Sequence, residues 1–554
     1  MTSTKIIILG TGISSTILST ILSKHGVENI LIDKTCHPRF AIGESTIPQT
    51  SALFRLLALR YNIPEFEHLS SFRRCKEITQ NCGIKRNFGF VYHKEGIENP
   101  VSYNQTPLPH DEIHLFRQDT DAYLLHLAIH YGAKVYQNCS IKDLEINASE
   151  VILKTSHGIF HGNYIVDGTG YGSQIAGMRD LREVPTRLKA HSRSVFTHMI
   201  DVMHFDECLD KEKNPSMPIP LYQGTLHHIF KEGWLWVIPF NNYDGAINPL
   251  CSVGLQLDPR IIEKPNDISP EEEFFSFIKK YPAIERQFRN AKSVREWVST
   301  SRLQYSSKSS VGERFFLMSH ASGFLDPLFS RGICNTLEVV NLLASALIKA
   351  DKQNDYCGPE FEKIEQFQQG VIDFNDDLVN SSYISFRDPA LWNCFWRIWG
   401  LIALYGTFRV TRCNLKYEVS GDDSIFNDLL DTKYPGAITS NADVWNLLND
   451  AVSIMSKVET GQLTNEEAIK RFQLLFREHD KLAPSIFPFS DLSRKWTKPT
   501  VSENLKLLQW AKSGAPQSVR DEYFDYNTLL LSKLSDSKLA NIFNHEYFKF
   551  VLGA

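Results

Sequence analysis

The first 33 residues constrain the fold more tightly than any other stretch. Lys5-Ile6-Ile7-Ile8-Leu9 is a continuous, largely β-branched run, the pattern of a central parallel strand covered on both faces. Gly10-Thr11-Gly12-Ile13-Ser14-Ser15 follows at once, and Ile17, Leu18, Ile21 and Leu22 then recur at helical spacing. Strand, glycine turn and helix in that order are the context of a dinucleotide-binding turn. Gly10 permits the tight turn and Gly12 lets a pyrophosphate reach the helix N-terminus. Ser15, small enough to stand for a third glycine, keeps helix and strand close. A second apolar strand, Asn29 to Ile32, ends in Asp33, placed to accept hydrogen bonds from an adenosine ribose, with Lys34 beside it. The fold class implied is α/β, a doubly wound parallel sheet.

Composition narrows the class further. The 554 residues carry a formal net charge of -5 and no basic run, which argues against nucleic acid or a polybasic membrane contact as partner. None of the ten cysteines forms a CxxC pair or joins a zinc-spaced cluster; they read as reduced thiols of a cytoplasmic protein. The most apolar short run, Ile398 to Phe408, is bracketed by Arg397 and Arg409 and falls short of the roughly 18–20 residues of a membrane span. Lys5–Leu9 is broken by Gly10 and Gly12 before it could serve as a signal peptide. Aromatics make up 12% of the chain, enough to enclose a flat ring system as well as fill a core.

Further pieces converge on the same crevice. Arg39 and Gly43-Glu44-Ser45 open a helix soon after the ribose acid, and Arg117 precedes Asp121 and an apolar helix. Tyr164-Ile165-Val166 is a buried strand ending in Asp167-Gly168-Thr169-Gly170. Phe315-Phe316-Leu317-Met318 runs into Ser319-His320 and on to Asp326-Pro327, with Ser330-Arg331-Gly332-Ile333 beyond. In an open α/β sheet, ligands bind at the carboxyl ends of the strands. Separately, Gly233-Trp234-Leu235-Trp236-Val237-Ile238-Pro239 places Trp234 and Trp236 on one face of a strand.

As a set, these pieces resemble the FAD-binding elements of the aromatic-hydroxylase-type flavoproteins. Trp-x-Trp-x-Ile-Pro, Gly43-Glu44-Ser45 and Phe324-Leu325-Asp326-Pro327-Leu328-Phe329-Ser330-x-Gly332 are similar to the motifs of the flavin-dependent halogenases, also called the tryptophan halogenase family. The similarity spans about residues 1–350. It implies a two-component oxidoreductase: reduced FAD, delivered by a flavin reductase, and oxygen convert chloride or bromide to hypohalous acid, HOX. A lysine then presents HOX to an electron-rich aromatic substrate, free or tethered to a carrier protein. It also implies FAD contacts from Gly10, Gly12, Ile13, Ser14, Ser15, Asp33, Lys34, Arg39, Gly43, Glu44, Ser45, Arg117, Asp167, Gly168, His320, Asp326, Gly332 and Ile333. The halide would lie near Ser330 and the amides of Arg331 and Gly332, with Trp234 and Trp236 over the flavin.

The chain departs from that pattern in three places. The family lysine sits two residues before a glycine, where this chain has Asn81 before Gly83. Lys85 shares that strand face, and Lys76 is the next candidate. Ser319-His320 replaces the flavin-binding Gly-Asp, so His320 is either a flavin contact or structural. Phe329 replaces the glutamate of tryptophan-type members, which points to phenol- or pyrrole-type substrates. Asn81 also supports an alternative, a halogenase-fold monooxygenase or oxidase without halide chemistry.

The chain divides into an FAD-binding domain, 1–180, completed by 290–350; an inserted mixed-sheet substrate domain, 181–290; and a helical C-terminal extension, 351–554. Trp392, Phe395, Trp396 and Trp399 form a helical stripe, read either as core or as the lining of a substrate cavity.

Overall fold

A computed structural model of the chain describes residues 2–524, apart from 210–215, 435, 437, 438, 486, 488 and 498–500. The opening run forms the strand Ile6–Leu9, whose four residues have no exposed surface. It pairs in parallel with Asn29–Ile32 on one side and Tyr164–Asp167 on the other. Lys134–Tyr136 and Phe315–Leu317 extend the parallel sheet, and Val311–Gly312 adds an antiparallel edge. Burial on both faces is why these strands read as unbroken apolar runs.

The turn after Ile6–Leu9 works by close approach. Gly10 has φ +88°, and a Cβ there would sit 3.2 Å from the Gly168 carbonyl oxygen. A Cβ on Gly168 would meet Ser15 Oγ at 2.2 Å. Ser15 is therefore the small third residue that the turn requires, and its hydroxyl donates to Leu9 O at 3.2 Å. The helix Ile13–Lys24 begins with no side-chain cap, which leaves its first N–H groups for a ligand.

A second, mixed sheet has the order Lys292–Ser293, Arg193–Ile200, Cys251–Leu257, Gly233–Pro239, Thr225–Phe230, Gly83–Tyr92, Ser102–His114, with Val298–Ser299 also on Arg193–Ile200. The expected substrate unit is thus larger than 181–290. Gly83–Tyr92 joins it through parallel pairing with Thr225–Phe230, a contact between segments over 130 residues apart that local patterning does not reveal. A small four-stranded sheet, Thr2–Ser3, Gly158–Gly162, Val151–Thr155 and Ile141–Ile146, completes the β structure.

From Pro359 onward the described residues are mainly helical, with long helices Pro359–Ser385 and Pro389–Ser420. Asp388 caps the second by accepting from the amides of Ala390 and Leu391, and Pro389 occupies the first helical position. Trp392, Phe395, Trp396 and Trp399 are all buried and line none of the cavities described below. Phe90 meets Trp392 edge-on at 5.2 Å, Phe88 meets Trp399 at 5.0 Å, and Phe329 stacks on Trp399 at 4.8 Å. The stripe is a packed seam between this helix and the second sheet. Among the described residues one helix, Gly332–Gln353, is long and apolar enough by length and composition to cross a bilayer; 72% of its apolar window is buried against the rest of the protein.

Candidate active site

A cavity of about 350 Å³ lies between the two large sheets. Its walls bring together Gly12, Ile13, Ser14, Gly43, Glu44, Ser45, Arg117, Gly168, His320, Asp326, Gly332 and Ile333 with Trp234, Trp236 and Ser330. Most of the residues singled out from the sequence therefore converge from six separated segments.

Others hold the walls without forming them. Asp33 Oδ2 accepts from the Thr11 amide, the Thr11 hydroxyl and Arg39, each at 2.8 Å, while Oδ1 accepts from the Thr35 amide and hydroxyl, each at 2.8 Å. Burial opposes ionisation, but Arg39 and these hydrogen bonds hold the carboxyl below its ordinary range. A carboxylate offers about four acceptor sites, and in this structure Asp33 uses its oxygens to buttress the turn. Lys34 is exposed and does not line the cavity. Asp167, fully buried, accepts from Thr169 and Ser173 and shapes the Gly168 turn from beneath. Arg117 donates to the Ile42 and Gly43 carbonyls at 2.7 and 3.1 Å and pairs with Asp121 at 2.7 Å, fixing the Gly43 loop.

Two networks orient the tryptophans. Trp234 Nε1 donates to Tyr383 Oη at 3.1 Å, and Tyr383 donates to Asp326 Oδ2 at 2.8 Å; Ser192 donates to the same oxygen at 2.7 Å. Burial raises the Asp326 carboxyl above its usual range. Trp236 Nε1 donates to Ser252 at 3.2 Å, and Ser252 donates to Glu44 at 3.1 Å. Glu44 also meets His198 Nε2 at 2.8 Å, while Arg295 Nε, a donor only, lies 3.2 Å from His198 Nδ1. Nδ1 is therefore the acceptor, and Nε2 carries the proton shared with Glu44. His320 lines the cavity as a neutral ring, lowered to about 4 by burial and by Arg117.

Lys85 lies directly behind Ser45. It has no exposed surface, and its Nζ donates to Ser45 Oγ at 2.7 Å and to the Thr46 carbonyl at 2.8 Å. The Phe88 ring centroid lies 3.5 Å from Nζ. Burial pushes the ammonium well below its ordinary pKa, against the attraction of Glu112, the residue opposite it on Ser102–His114. Ser45 and Thr46 accept two of the N–H bonds on Nζ.

The hydroxyls continue as a chain with defined direction. His114 Nδ1 lies 2.9 Å from the Pro239 carbonyl and so bears the proton; its Nε2 accepts from Thr225 at 3.1 Å. Thr225 then accepts from Ser45 at 2.8 Å, and Ser45 accepts from Ser330 at 3.1 Å as well as from Lys85. Burial lowers His114 to about 3, so it acts as a neutral anchor. Ser330 holds φ +54°, a strained value for a residue with a Cβ, at the point where its hydroxyl reaches Ser45.

Asn81, Lys76 and Lys85 all lie outside the cavity wall: the Asn81 side chain is tied to Asp119 at 2.7 Å, Lys76 lies 4.8 Å from the Tyr243 ring, and Lys85 reaches the wall through Ser45. A register shift between Lys85 and Asn87 marks the strand at the lysine. Arg331 is also absent from this cavity and lines a smaller one behind the turn. His114, Thr225, His227 and Tyr383 escaped the sequence reading, because isolated polar residues on buried strands and helices carry no local signal.

No family model matches the chain. It is 41% identical to tetracycline 7-halogenase of Kitasatospora aureofaciens over 522 residues, 93% of this chain and 94% of the relative. The chain belongs to the flavin-dependent halogenase family. This halogenase is also 41% identical to the monodechloroaminopyrrolnitrin halogenase PrnC of Pseudomonas fluorescens over 540 residues, 95% of this chain and 94% of that one. A crystal structure of halogenase PltM in complex with phloroglucinol and FAD superposes with TM-score 0.86 at 33% identity, covering 89% of this chain and 99% of that one.

The protein is thus an FAD-dependent enzyme that halogenates aromatic substrates with chloride or bromide. Its residues fit the cofactor: the Gly10 and Gly168 cradle admits no Cβ, Gly12 faces open space, and the helix N-terminus is uncapped. The alternative without halide chemistry rested on Asn81, which lies outside the cavity, and the relatives give it no support.

Proposed function

We propose that Lys85 is the residue that presents the halogen to the substrate, and that the substrate is a phenolic or pyrrolic ring. The observation that carries this is one buried lysine held behind Ser45 at the end of the flavin cavity, its nitrogen against an aromatic face. Flavin supplies the activation of oxygen that makes a halide electrophilic.

The protein's own groups do the rest. Ser330 and the amides of Arg331 and Gly332 form the halide turn, at a helix whose N-terminus has no side-chain cap. The rings of Trp234 and Trp236, pinned through Tyr383 and Ser252, narrow the space over the cofactor. Ser45 and Thr46 fix the Lys85 nitrogen, which holds HOX by a hydrogen bond or attacks its halogen; in the second case the O–halogen bond breaks, and the departing hydroxide takes a proton from the attacking nitrogen, leaving a haloamine and water. Burial, which disfavours the charged form of Lys85, suits both, because an unprotonated amine has the lone pair that attack needs. Burial also keeps water from consuming the oxidant.

Phe329 at the turn, stacked on Trp399, leaves no carboxylate at that position for an indole substrate. Relatives named for tetracycline and aminopyrrolnitrin substrates support a phenol or pyrrole. A free substrate is favoured over one on a carrier, since the relative named for a carrier-bound pyrrole is 24% identical over 379 residues. Reduced flavin comes from a separate reductase, as the sequence carries one dinucleotide turn, at Gly10–Ser15. The ten free cysteines suit a cytoplasmic enzyme.

The test supplies FAD, a flavin reductase, oxygen and bromide to the purified enzyme with phloroglucinol, a phenylpyrrole and tryptophan as probes. Brominated phloroglucinol or phenylpyrrole, with little brominated tryptophan, is expected. Oxidised product that forms equally well without halide would overturn the proposal.

A further inference from the structure

Behind the halide turn lies a second, smaller cavity of about 60 Å³. Ser319, His320, Phe324, Asp326 and Gly332 line both cavities, so only this turn separates them. Arg331 lines the small one.

Arg331 is 93% buried by residue surface, since 7% is exposed, yet it has no carboxylate within ion-pair distance among the described residues. Its one hydrogen bond is a long contact from Nη2 to Asn335 Oδ1 at 3.4 Å, and its Nε has no partner. A guanidinium stays charged at any working pH, and a buried charge without a partner costs several kcal/mol. The nearest acid along the helix, Glu338, is engaged by Gln49 at 2.8 Å; burial raises its carboxyl above the usual range although the Arg331 and Arg409 charges pull the other way. Asp326 turns its oxygens to Ser192, Tyr383 and the Leu328 amide. His320 is neutral at ordinary pH. Arg331 therefore places a positive charge on the chamber wall, across from an Asp326 carboxyl already engaged by three donors, and the uncapped N-terminus of Gly332–Gln353 adds to it.

The geometry points to a second halide site in this chamber, with chloride or bromide on the Arg331 guanidinium and the amide side chains of Asn335 and Asn375 completing its wall. Such an ion is close in size to water, which occupies about 30 Å³ in the liquid, so the chamber accommodates one. The site is distinct from the turn amides on the flavin side, and it holds a halide one turn away from the place of reaction. This inference rests on the halogenase reading for its choice of anion.

The test is a crystal structure of the FAD-bound enzyme grown in bromide, with anomalous data at the bromine edge. The expected result is a bromide peak within hydrogen-bonding distance of the Arg331 guanidinium, separate from any peak at the Arg331–Gly332 amides. In solution, Arg331→Met should raise the half-saturating bromide concentration for halogenation about tenfold, the scale of one charged hydrogen bond, with Arg331→Lys recovering part of it. A chamber holding water alone, or no density, overturns the site even if the enzyme brominates its probes. A peak at Arg331 in an enzyme that fails to halogenate leaves the site standing and removes the functional reading instead.

Discussion

Lys85→Met separates the chemistry of the buried lysine from its structural cost. The side chain is fully buried, with two hydrogen bonds, to Ser45 and Thr46, and no ion pair among the described residues. Keeping the amine neutral in the fold near pH 7 costs up to about 4 kcal/mol, at about 1.4 kcal/mol per unit of pKa depression, a cost that methionine does not incur, and losing two hydrogen bonds at about 1 kcal/mol each returns roughly 2 of that. The variant should therefore be as stable as the wild type near neutral pH, or more stable by up to about 2 kcal/mol. The pH dependence is the sharper signature. Because the folded pKa of Lys85 is depressed, the unfolded chain binds more protons than the folded one between that pKa and the ordinary lysine value. Wild-type stability thus rises with pH through this window, by up to about 1.4 kcal/mol per unit. The methionine variant lacks that gain, so its advantage should shrink as pH rises toward 10. Urea unfolding of both proteins at several pH values measures the difference directly. A stability difference independent of pH would refute the depressed pKa, and with it the neutral amine on which nucleophilic attack depends.

Other positions give simpler tests. Gly10→Ala forces a side chain into φ +88° and against Gly168; it should cost about 1–2 kcal/mol and weaken FAD binding, measured by flavin fluorescence. Tyr383→Phe leaves the Trp234 N–H without an acceptor and takes one donor from Asp326, an expected loss of about 1–3 kcal/mol in thermal unfolding. Ser45→Ala removes the shared partner of Lys85, Thr225 and Ser330. It should lower the halogenation rate tenfold or more while FAD stays bound.

Local patterns in the chain carried the cofactor half of this fold. Ile6–Leu9, the Gly10 turn and Asn29–Ile32 are written in short-range periodicity, because a strand buried on both faces must be apolar throughout. The substrate half was less legible. Gly83–Tyr92 enters the second sheet by pairing with Thr225–Phe230, and nothing in either segment encodes its distant partner. Lys85 was a candidate by strand alternation, but its burial and its hold on Ser45 depend on that pairing. Tyr383 belongs to a helix of the C-terminal extension yet orients Trp234, 149 residues away, so the extension is part of the site's support. Asp33, Asp167 and Arg331 sit at motif positions whose side-chain direction the motif leaves open. The first two are engaged by the hydroxyl and amide two residues along, at Thr35 and Thr169, and by partners further off, and the third turns into a separate chamber.

The central claim, that Lys85 presents the halogen, is tested most directly by a paired comparison of Lys85→Met and Lys76→Met. Both FAD-loaded variants would be supplied with reduced flavin, oxygen, bromide and phloroglucinol, and brominated product read by mass spectrometry. Lys76→Met should brominate at close to the wild-type rate, whereas Lys85→Met should form no enzymatic product while still consuming reduced flavin and oxygen. Bromination by Lys85→Met at a wild-type rate would contradict the account.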